Sequence, residues 1–357
     1  MGFWVERHDT PGAFEALEPE WNALWGRLFP SLPAQTWHWN ETWWRHFAVD
    51  RPSQRDALRL YAVRDDQRAL RLLAPMVLSE RPARGPLRAR VLHPFAFEGE
   101  QVAGCAALCE PADARDAWDA LLGHLDAQRE WDWVELGGIP FGQGAMQALD
   151  TRGQVRWVRE SSEYFVRLDK SRQAAAAPKS ELLRKEGLTA SLSVRSTPEE
   201  TVAALEHAFA HGSGSDRGRA FWLEYAHGAA ARGEARVFQL RVGGIVAAQR
   251  LGLVLGKQLS LAFAVEHPEF ARFALADTLR AETLRWAAAE KVEVIHLGPA
   301  RDPAWTCDER VDREAVLLSP QRASAWKQSA LLSLREGSSR RSRLARRLLD
   351  HRGRTSD

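Results

Sequence analysis

Apolar residues along this chain alternate between helical and strand spacing, and they do so twice in the same order. DTPGAFEALEPEWNALWGRL, from Asp9, places Leu17, Trp21, Leu24 and Leu28 on one face of a helix. STPEETVAALEHAFAHGS, from Ser196, opens in the same way, and Thr197 and Glu200 have the spacing of a capping box. The proline in each opening costs no useful N–H at a first helical position. A second helical stretch follows each: TWHWNETWWRHF (36–47) in the first half, and FWLEYAHGAAARG from Phe221 in the second.

The period then drops to two. Residues 58–78 and 236–255 each read as strand, turn, strand, with Gly243-Gly244 as the second turn. Further strands are predicted at RARVLHPF, from Arg88, and QLSLAFAVE, from Gln258. Helices follow at 112–129 and 274–290, then the strands WDWVELGG (131–138) and VEVIHLGP (292–299). The first copy is longer, with an insertion around Pro82 to Glu110. Between the copies, residues 161–194 supply a strand, EYFVRL, and a Lys/Arg-bearing helix, SELLRKEG, stopped at Gly187.

This order predicts an α/β (α+β) protein of two tandem lobes, each a mixed, mostly antiparallel sheet flanked by helices. The expected divisions are 1–160, 161–335 and a basic tail, 336–357. In 36–47, Trp39, Trp43 and Phe47 share one helix face, and Trp37 and Trp44 flank it. Burial against a sheet removes about 150–250 Å² of water contact per ring, so core packing is the expected use. The competing use is a sugar- or cofactor-stacking surface.

The chain has 357 residues, enough for two cores, with 45% hydrophobic and 27% charged residues. Formal charge is +2, but Arg335–Asp357 holds eight arginines against three acids, +5, leaving −3 elsewhere. Such a tail suits a solvated terminus or contact with RNA or an anionic surface. Cys105, Cys109 and Cys307 are sparse and odd in number, which suits a reducing compartment and disfavours zinc. With neither an apolar run of about 20 residues nor a signal-peptide core in MGFWVERHDT, the expectation is a cytoplasmic protein without a transmembrane segment. Nucleotide P-loop, dinucleotide, serine-elbow and HExxH zinc motifs are absent.

The run from Pro33 to Trp44 (P-x-Q-T-W-H-W-N-E-T-W-W), the hairpin RVGGIVAAQRLGL and the segment HPEFARFALADTLRAETLRWAAAEKVEVIHLGP together resemble the GNAT-like acyltransferases of bacterial cellulose biosynthesis. The resemblance covers most of residues 3–320 and rests on order and spacing. The tandem-GNAT Fem-type transferases, whose donor is an aminoacyl-tRNA, are more distantly similar. The resemblance implies acetyl-CoA or another acyl-CoA as co-substrate, with no metal. The thioester arm would enter between two splayed strands, Leu259–Val265 and Val292–Leu297. The pyrophosphate would lie on a loop from His267 to Asp277 that opens a helix.

The cofactor-binding residues implied are Val265, Arg272, Ala274, Ala276 and Thr278. The loop departs from the family pattern: R-F-A-L-A-D from Arg272 lacks its glycines, and Asp277 adds negative charge. Trp305 stands in a region where the family often has a Tyr-Lys pair.

Transfer to an amine requires a base and a stabilised oxyanion. Glu266, at the end of the central strand, His296, within the final strand, and His267, at the loop start, are the candidate catalytic residues. Glu135 occupies the repeat position of His296. Gln249, Glu135 and Trp305 are candidates for acceptor binding. Each has a plainer use: a solvated strand end for Glu266, a sheet-face histidine for His296, a surface residue for His267, a backbone tie for Gln249 and a loop anchor for Trp305.

Three functions stay open. The first is acyl-CoA-dependent N-acylation of a small or sugar-linked amine, in exopolysaccharide synthesis for example. The second is a GNAT-derived binding or scaffold protein without a working donor site. The third is an aminoacyl-tRNA-dependent transferase. Oligomeric state is not specified by the sequence.

Overall fold

The computed structural model describes residues 2–29, 31–82, 88–95, 107–128, 130–140, 144–150, 155–168, 181–211, 215–273, 275–298 and 307–318. The first half contains β1 (Phe3–His8), α1 (Pro11–Ala16), α2 (Glu18–Trp25), α3 (Trp37–Phe47), β2 (Asp50–Arg51), β3 (Gln54–Asp65) and β4 (Leu70–Pro82). It continues with β5 (Arg88–Pro94), β6 (Leu108–Cys109), α4 (Ala114–Ala127), β7 (Trp133–Pro140) and α5 (Gly144–Asp150). Then come β8 (Val155–Arg167), α6 (Glu181–Lys185), β9 (Ala190–Arg195), α7 (Pro198–His211), α8 (Asp216–Ala231), β10 (Ala235–Val242) and β11 (Ile245–Leu255). The last elements are β12 (Gln258–Glu266), α9 (Leu275–Ala289), β13 (Val294–His296) and β14 (Glu309–Leu318).

The strands join in one path, β1-β3-β4-β5-β7-β14-β8-β13-β12-β11-β10-β9. This order is palindromic about the β14–β8 contact, as a duplicated lobe packed about a pseudo-twofold axis requires. Neighbours along the path pair antiparallel except β5 with β7 and β12 with β13, the equivalent parallel pairs. The registers match: Leu92 faces Val134 as Leu259 faces Ile295.

The two middle strands are exchanged. β8 follows the first lobe in sequence but completes the second, pairing Phe165 with His296. β14 follows the second lobe but completes the first, pairing Leu317 with Glu135. β8 and β14 also pair with each other from Val155↔Leu318 to Phe165↔Glu309. The segment EYFVRL is therefore the end of a longer strand that enters both lobes.

Each half-sheet is covered on both faces, so its central strands are apolar on both sides. Leu58, Leu60 and Ala62 face α1–α3, while Tyr61 and Val63 join α4. Phe238, Leu240 and Val242 face α9, and Val237 faces α7 and α8.

The first helical stretch differs from its expected single helix. Pro19 lacks the N–H that would continue the bonding from α1, so a second helix starts at Glu18. Leu17, Trp21 and Leu24 are nevertheless buried, as the spacing required, and Leu28 packs partly buried against the same core. α8 begins earlier than Phe221 because the Ser215 hydroxyl accepts from Gly218 N at 3.0 Å, capping a helix from Asp216.

The tryptophan-rich stretch is core, and it also joins the lobes. Trp43 stacks on Phe95 at 5.1 Å. Trp39 meets Phe221, Trp222 and Tyr225 of α8 edge-on at 5.0, 5.3 and 4.8 Å. Around these rings, His46 Nε2 lies 2.6 Å from Glu224 Oε2, and Arg45 pairs with the same carboxylate. Among the described residues, no helix is long and apolar enough to cross a membrane.

Replacing Trp39 with alanine empties a site shared by both lobes. The expected loss is about 3–5 kcal/mol of unfolding free energy, read from urea titration followed by circular dichroism. A change below about 1 kcal/mol would show that the rings do not hold the lobes together.

Candidate active site

β12 and β13 are hydrogen-bonded partners for only three residue pairs, Gln258↔Val294, Leu259↔Ile295 and Ser260↔His296. β13 then ends, and the chain stays with β8: Leu297 N donates to Tyr164 O at 2.8 Å, and Gly298 turns with φ +81°. β12 continues to Glu266, paired on its other edge with β11. Between Arg250↔Ala264 and Gly252↔Leu261 the register shifts by one, so Ala262 and Phe263 oppose Leu251. Such a bulge bends its strand and increases the twist. The strands consequently diverge after Ser260, and β12 has no strand partner on that edge from Leu261 onward among the described residues.

His296 sits at the point of divergence. Its Nε2 lies 2.6 Å from Glu163 Oε2, and both residues are buried, at 6% and 2% exposure. Phe165 lies against the imidazole at 4.9 Å. His296 Nδ1 is buried and has no hydrogen-bond partner among the described residues. Across the pair, Gln258 Nε2 donates to Ser260 Oγ at 2.9 Å and to Ser31 O at 2.5 Å, fixing this end of β12 to the first lobe.

Glu163 was not singled out from the sequence. The available signal was an acid opening EYFVRL, a segment otherwise suited to a strand; its partner lies 133 residues away.

The other candidates fall into separate groups. Gln249, Val265 and His267 line one hollow of about 190 Å³, counted with its open mouth, together with His207, Val246 and Ala248. Gln249 donates to Ala204 O at 2.9 Å and accepts from Gln239 at 3.0 Å, so its carboxamide ties α7 to the sheet. His267 N donates to Ala247 O at 2.9 Å, holding the start of the loop on β11.

Glu266 turns toward α9, and its Oε1 accepts from Leu275 N at 3.1 Å. A carboxylate of the chain itself thus meets the helix N-terminus, the place an anionic ligand favours. Asp277 follows in the first turn, 3.3 Å from Arg280. Arg272 points elsewhere, pairing with Glu186 at 2.8 Å and lying over the Phe273 ring at 4.6 Å. Ala276 is exposed at the start of α9, and Thr278 is buried within it. Ala274 and Trp305 lie outside the described residues.

Glu135 is the first-lobe counterpart of His296. It accepts from Trp133 Nε1 at 2.9 Å and lies 4.0 Å from an Arg81 nitrogen. The first lobe also divides early, since β5 and β7 pair only at Val91↔Trp133 and Leu92↔Val134. Burial is the main cause that raises the pKa of both Tyr61 and Tyr225. No group of three His, Cys, Asp or Glu side chains among the described residues is placed to hold a metal ion.

In sequence, no curated protein matches the chain. In structure, it is similar to FemX, with a TM-score of 0.57 at 10% identity, covering 87% of this chain and 96% of that one. It is also similar to a tandem GNAT protein from the clavulanic acid biosynthesis pathway, with a TM-score of 0.51 at 13% identity, covering 90% of this chain and all of the other. At these identities the likeness concerns the fold. Residues 147–305 match the acetyltransferase (GNAT) domain family, so the fold is one of two tandem GNAT-like lobes and the match supports an N-acyltransferase at the level of the family.

Proposed function

We propose that the chain transfers an acyl group from a thioester, an acyl-CoA in the first instance, to the amine of a small or sugar-linked acceptor. The observation carrying this reading is the divergence of β12 from β13 beginning beside His296. The open edge of β12 offers backbone groups to the amides of a pantetheine arm, and a strand N–H there would polarise the thioester carbonyl. The amine nitrogen attacks that carbonyl carbon, the carbon–sulfur bond breaks, and the sulfur departs as a thiolate that in the end takes up the proton released from nitrogen. His296 Nδ1 is the base that takes the proton from nitrogen. Attack is direct, without an acyl-enzyme. Exopolysaccharide synthesis is one setting for a sugar-linked acceptor, and the sparse cysteines suit the cytoplasm. In this reading residues 1–160 and 161–335 are the two repeats in sequence, with β8 and β14 exchanged between their sheets, and 336–357 is a basic appendage able to touch RNA or an anionic surface.

One observation favours a second reading. The split suits a thioester arm, but the first turn of α9 does not suit a diphosphate: Glu266 already accepts from Leu275 N, and Asp277 adds a further acid. A donor without a diphosphate at this helix, such as an aminoacyl-tRNA, avoids the conflict, as does a binding protein that no longer uses a donor. Salt-sensitive tRNA binding would favour the former.

Isothermal titration with acetyl-CoA, and thiol release from it across a panel of primary amines and amino sugars, test the first reading. Binding and amine-dependent thiol release are expected, and His296→Ala lowers kcat by about 10²–10⁴-fold. Absence of binding at millimolar acetyl-CoA would reject the acyl-CoA donor. Glu266→Gln removes one like charge near the diphosphate, worth about 1 kcal/mol at 4 Å in water. It therefore tightens acetyl-CoA binding roughly fivefold, whereas unchanged or weaker binding would show that Glu266 does not oppose this ligand.

A further inference from the structure

We propose that Glu163, delivered by the exchanged strand β8, is a positioning residue that sets the tautomer of His296 and leaves its Nδ1 lone pair available. The proposal rests on reading His296 as the base, and it deepens that reading by assigning a function to a residue of the neighbouring strand.

Glu163 Oε2 and His296 Nε2 are 2.6 Å apart, and both side chains are buried. One proton lies between them, and His296 Nδ1 has no hydrogen-bond partner among the described residues. Three states are possible. If Glu163 is ionised and the imidazole is neutral with its proton on Nε2, the Nε2–H donates to the carboxylate and Nδ1 is a bare acceptor. If the imidazole is doubly protonated, Nδ1–H becomes a buried donor with no acceptor. If the proton sits on Glu163, the neutral imidazole carries its own proton on Nδ1, again a buried donor with no acceptor. Nδ1 is unsatisfied in every state, and a buried donor or acceptor left unsatisfied costs about 1–3 kcal/mol, more for a charged group, so the doubly protonated imidazole of the second state is the most penalised. The first state makes the contact a charge-assisted bond.

The backbone holds this geometry from both sides. Phe165 pairs with His296 across β8 and β13, so Glu163, two residues earlier, projects from the same face of β8. The Phe165 ring packs on the imidazole. Leu297 N donates to Tyr164 O, fixing β8 and β13 just beyond the pair. The carboxylate and the imidazole are therefore held by paired strands whose residues lie 133 apart in sequence. At the equivalent place in the first lobe, Leu317 faces Glu135 and Ala315 stands where Glu163 does, so the carboxylate–imidazole pair occurs once in the repeat.

Nitrogen-15 NMR of the full chain, with histidines labelled, reads the tautomer directly. The expected spectrum of His296 shows a proton coupled to Nε2 and an unprotonated Nδ1. In Glu163→Gln the Nε2–H proton moves upfield and part of the population carries its proton on Nδ1, because a neutral carboxamide can present either its oxygen or its NH₂. In the amine-dependent thiol-release assay, kcat falls at least about tenfold with KM changed less than about twofold, and Glu163→Asp recovers part of both the spectrum and the rate. A wild-type spectrum with the proton on Nδ1, or a Glu163→Gln spectrum indistinguishable from wild type, would overturn the proposal. The wild-type spectrum decides the matter even where the variant fails to fold. If the tautomer is as stated but no acceptor supports thiol release, the acyl-transfer reading fails while the role of Glu163 in orienting the imidazole stands.

Discussion

The antiparallel contact between β8 and β14 is the constraint on which the rest of the structure depends. Each strand leaves its own half of the chain and completes the sheet of the other, and the two pair along the pseudo-twofold axis. The exchange makes one sheet of two repeats, so neither candidate cleft is assembled from a single contiguous half. It also places the Glu163 carboxylate of β8, which lies between the two repeats in sequence, beside the His296 imidazole of the second, because Phe165 of β8 lies in register with His296. Loss of that register by one residue would turn Glu163 to the opposite face.

The aromatic contact of α3 with α8 complements the exchange on one face of the sheet. Strand pairing sets the register between lobes but leaves the helical layers free to choose neighbours. Trp39 inserts among Phe221, Trp222 and Tyr225, and Glu224 answers His46 and Arg45 around the rim. Gln258, bonded to Ser31 O, adds a polar tie close to the split itself. The opening between β12 and β13 thus begins next to a well-fixed imidazole, which is what positioning a reacting group within a fraction of an ångström requires.

Much of this architecture was legible in the sequence because the repeat carries its own periodicities. The order of helices, hairpin, strand, helix and strand appears in each half, and the equivalence of Glu135 with His296 holds in the strand registers. Trp37, Trp39 and Trp43 of α3 read correctly as core from their spacing, and Trp44 packs partly buried against them. The exchange was not legible, since EYFVRL has the pattern of a strand whichever sheet it joins. Glu163 was invisible for the same reason: its meaning comes from a partner supplied by pairing rather than by proximity in the chain. Glu266 illustrates a further limit. Its place at the end of a central strand suggested chemistry, while its bond to Leu275 N depends on the path of the intervening loop. Arg272 likewise had the right charge for a phosphate, but it points toward Glu186 just beyond α6.

The central claim is that β12 beyond Ser260 is an open strand edge that receives a thioester arm. Amide hydrogen exchange measured with and without saturating S-acetyl-pantetheine, which carries no diphosphate, tests this most directly. Exchange within residues 261–265 should slow on binding, with the β10–β11 ladder unchanged. Binding that leaves 261–265 unaffected, or a free protein in which these amides are already as protected as those of Val237–Val242, would contradict it.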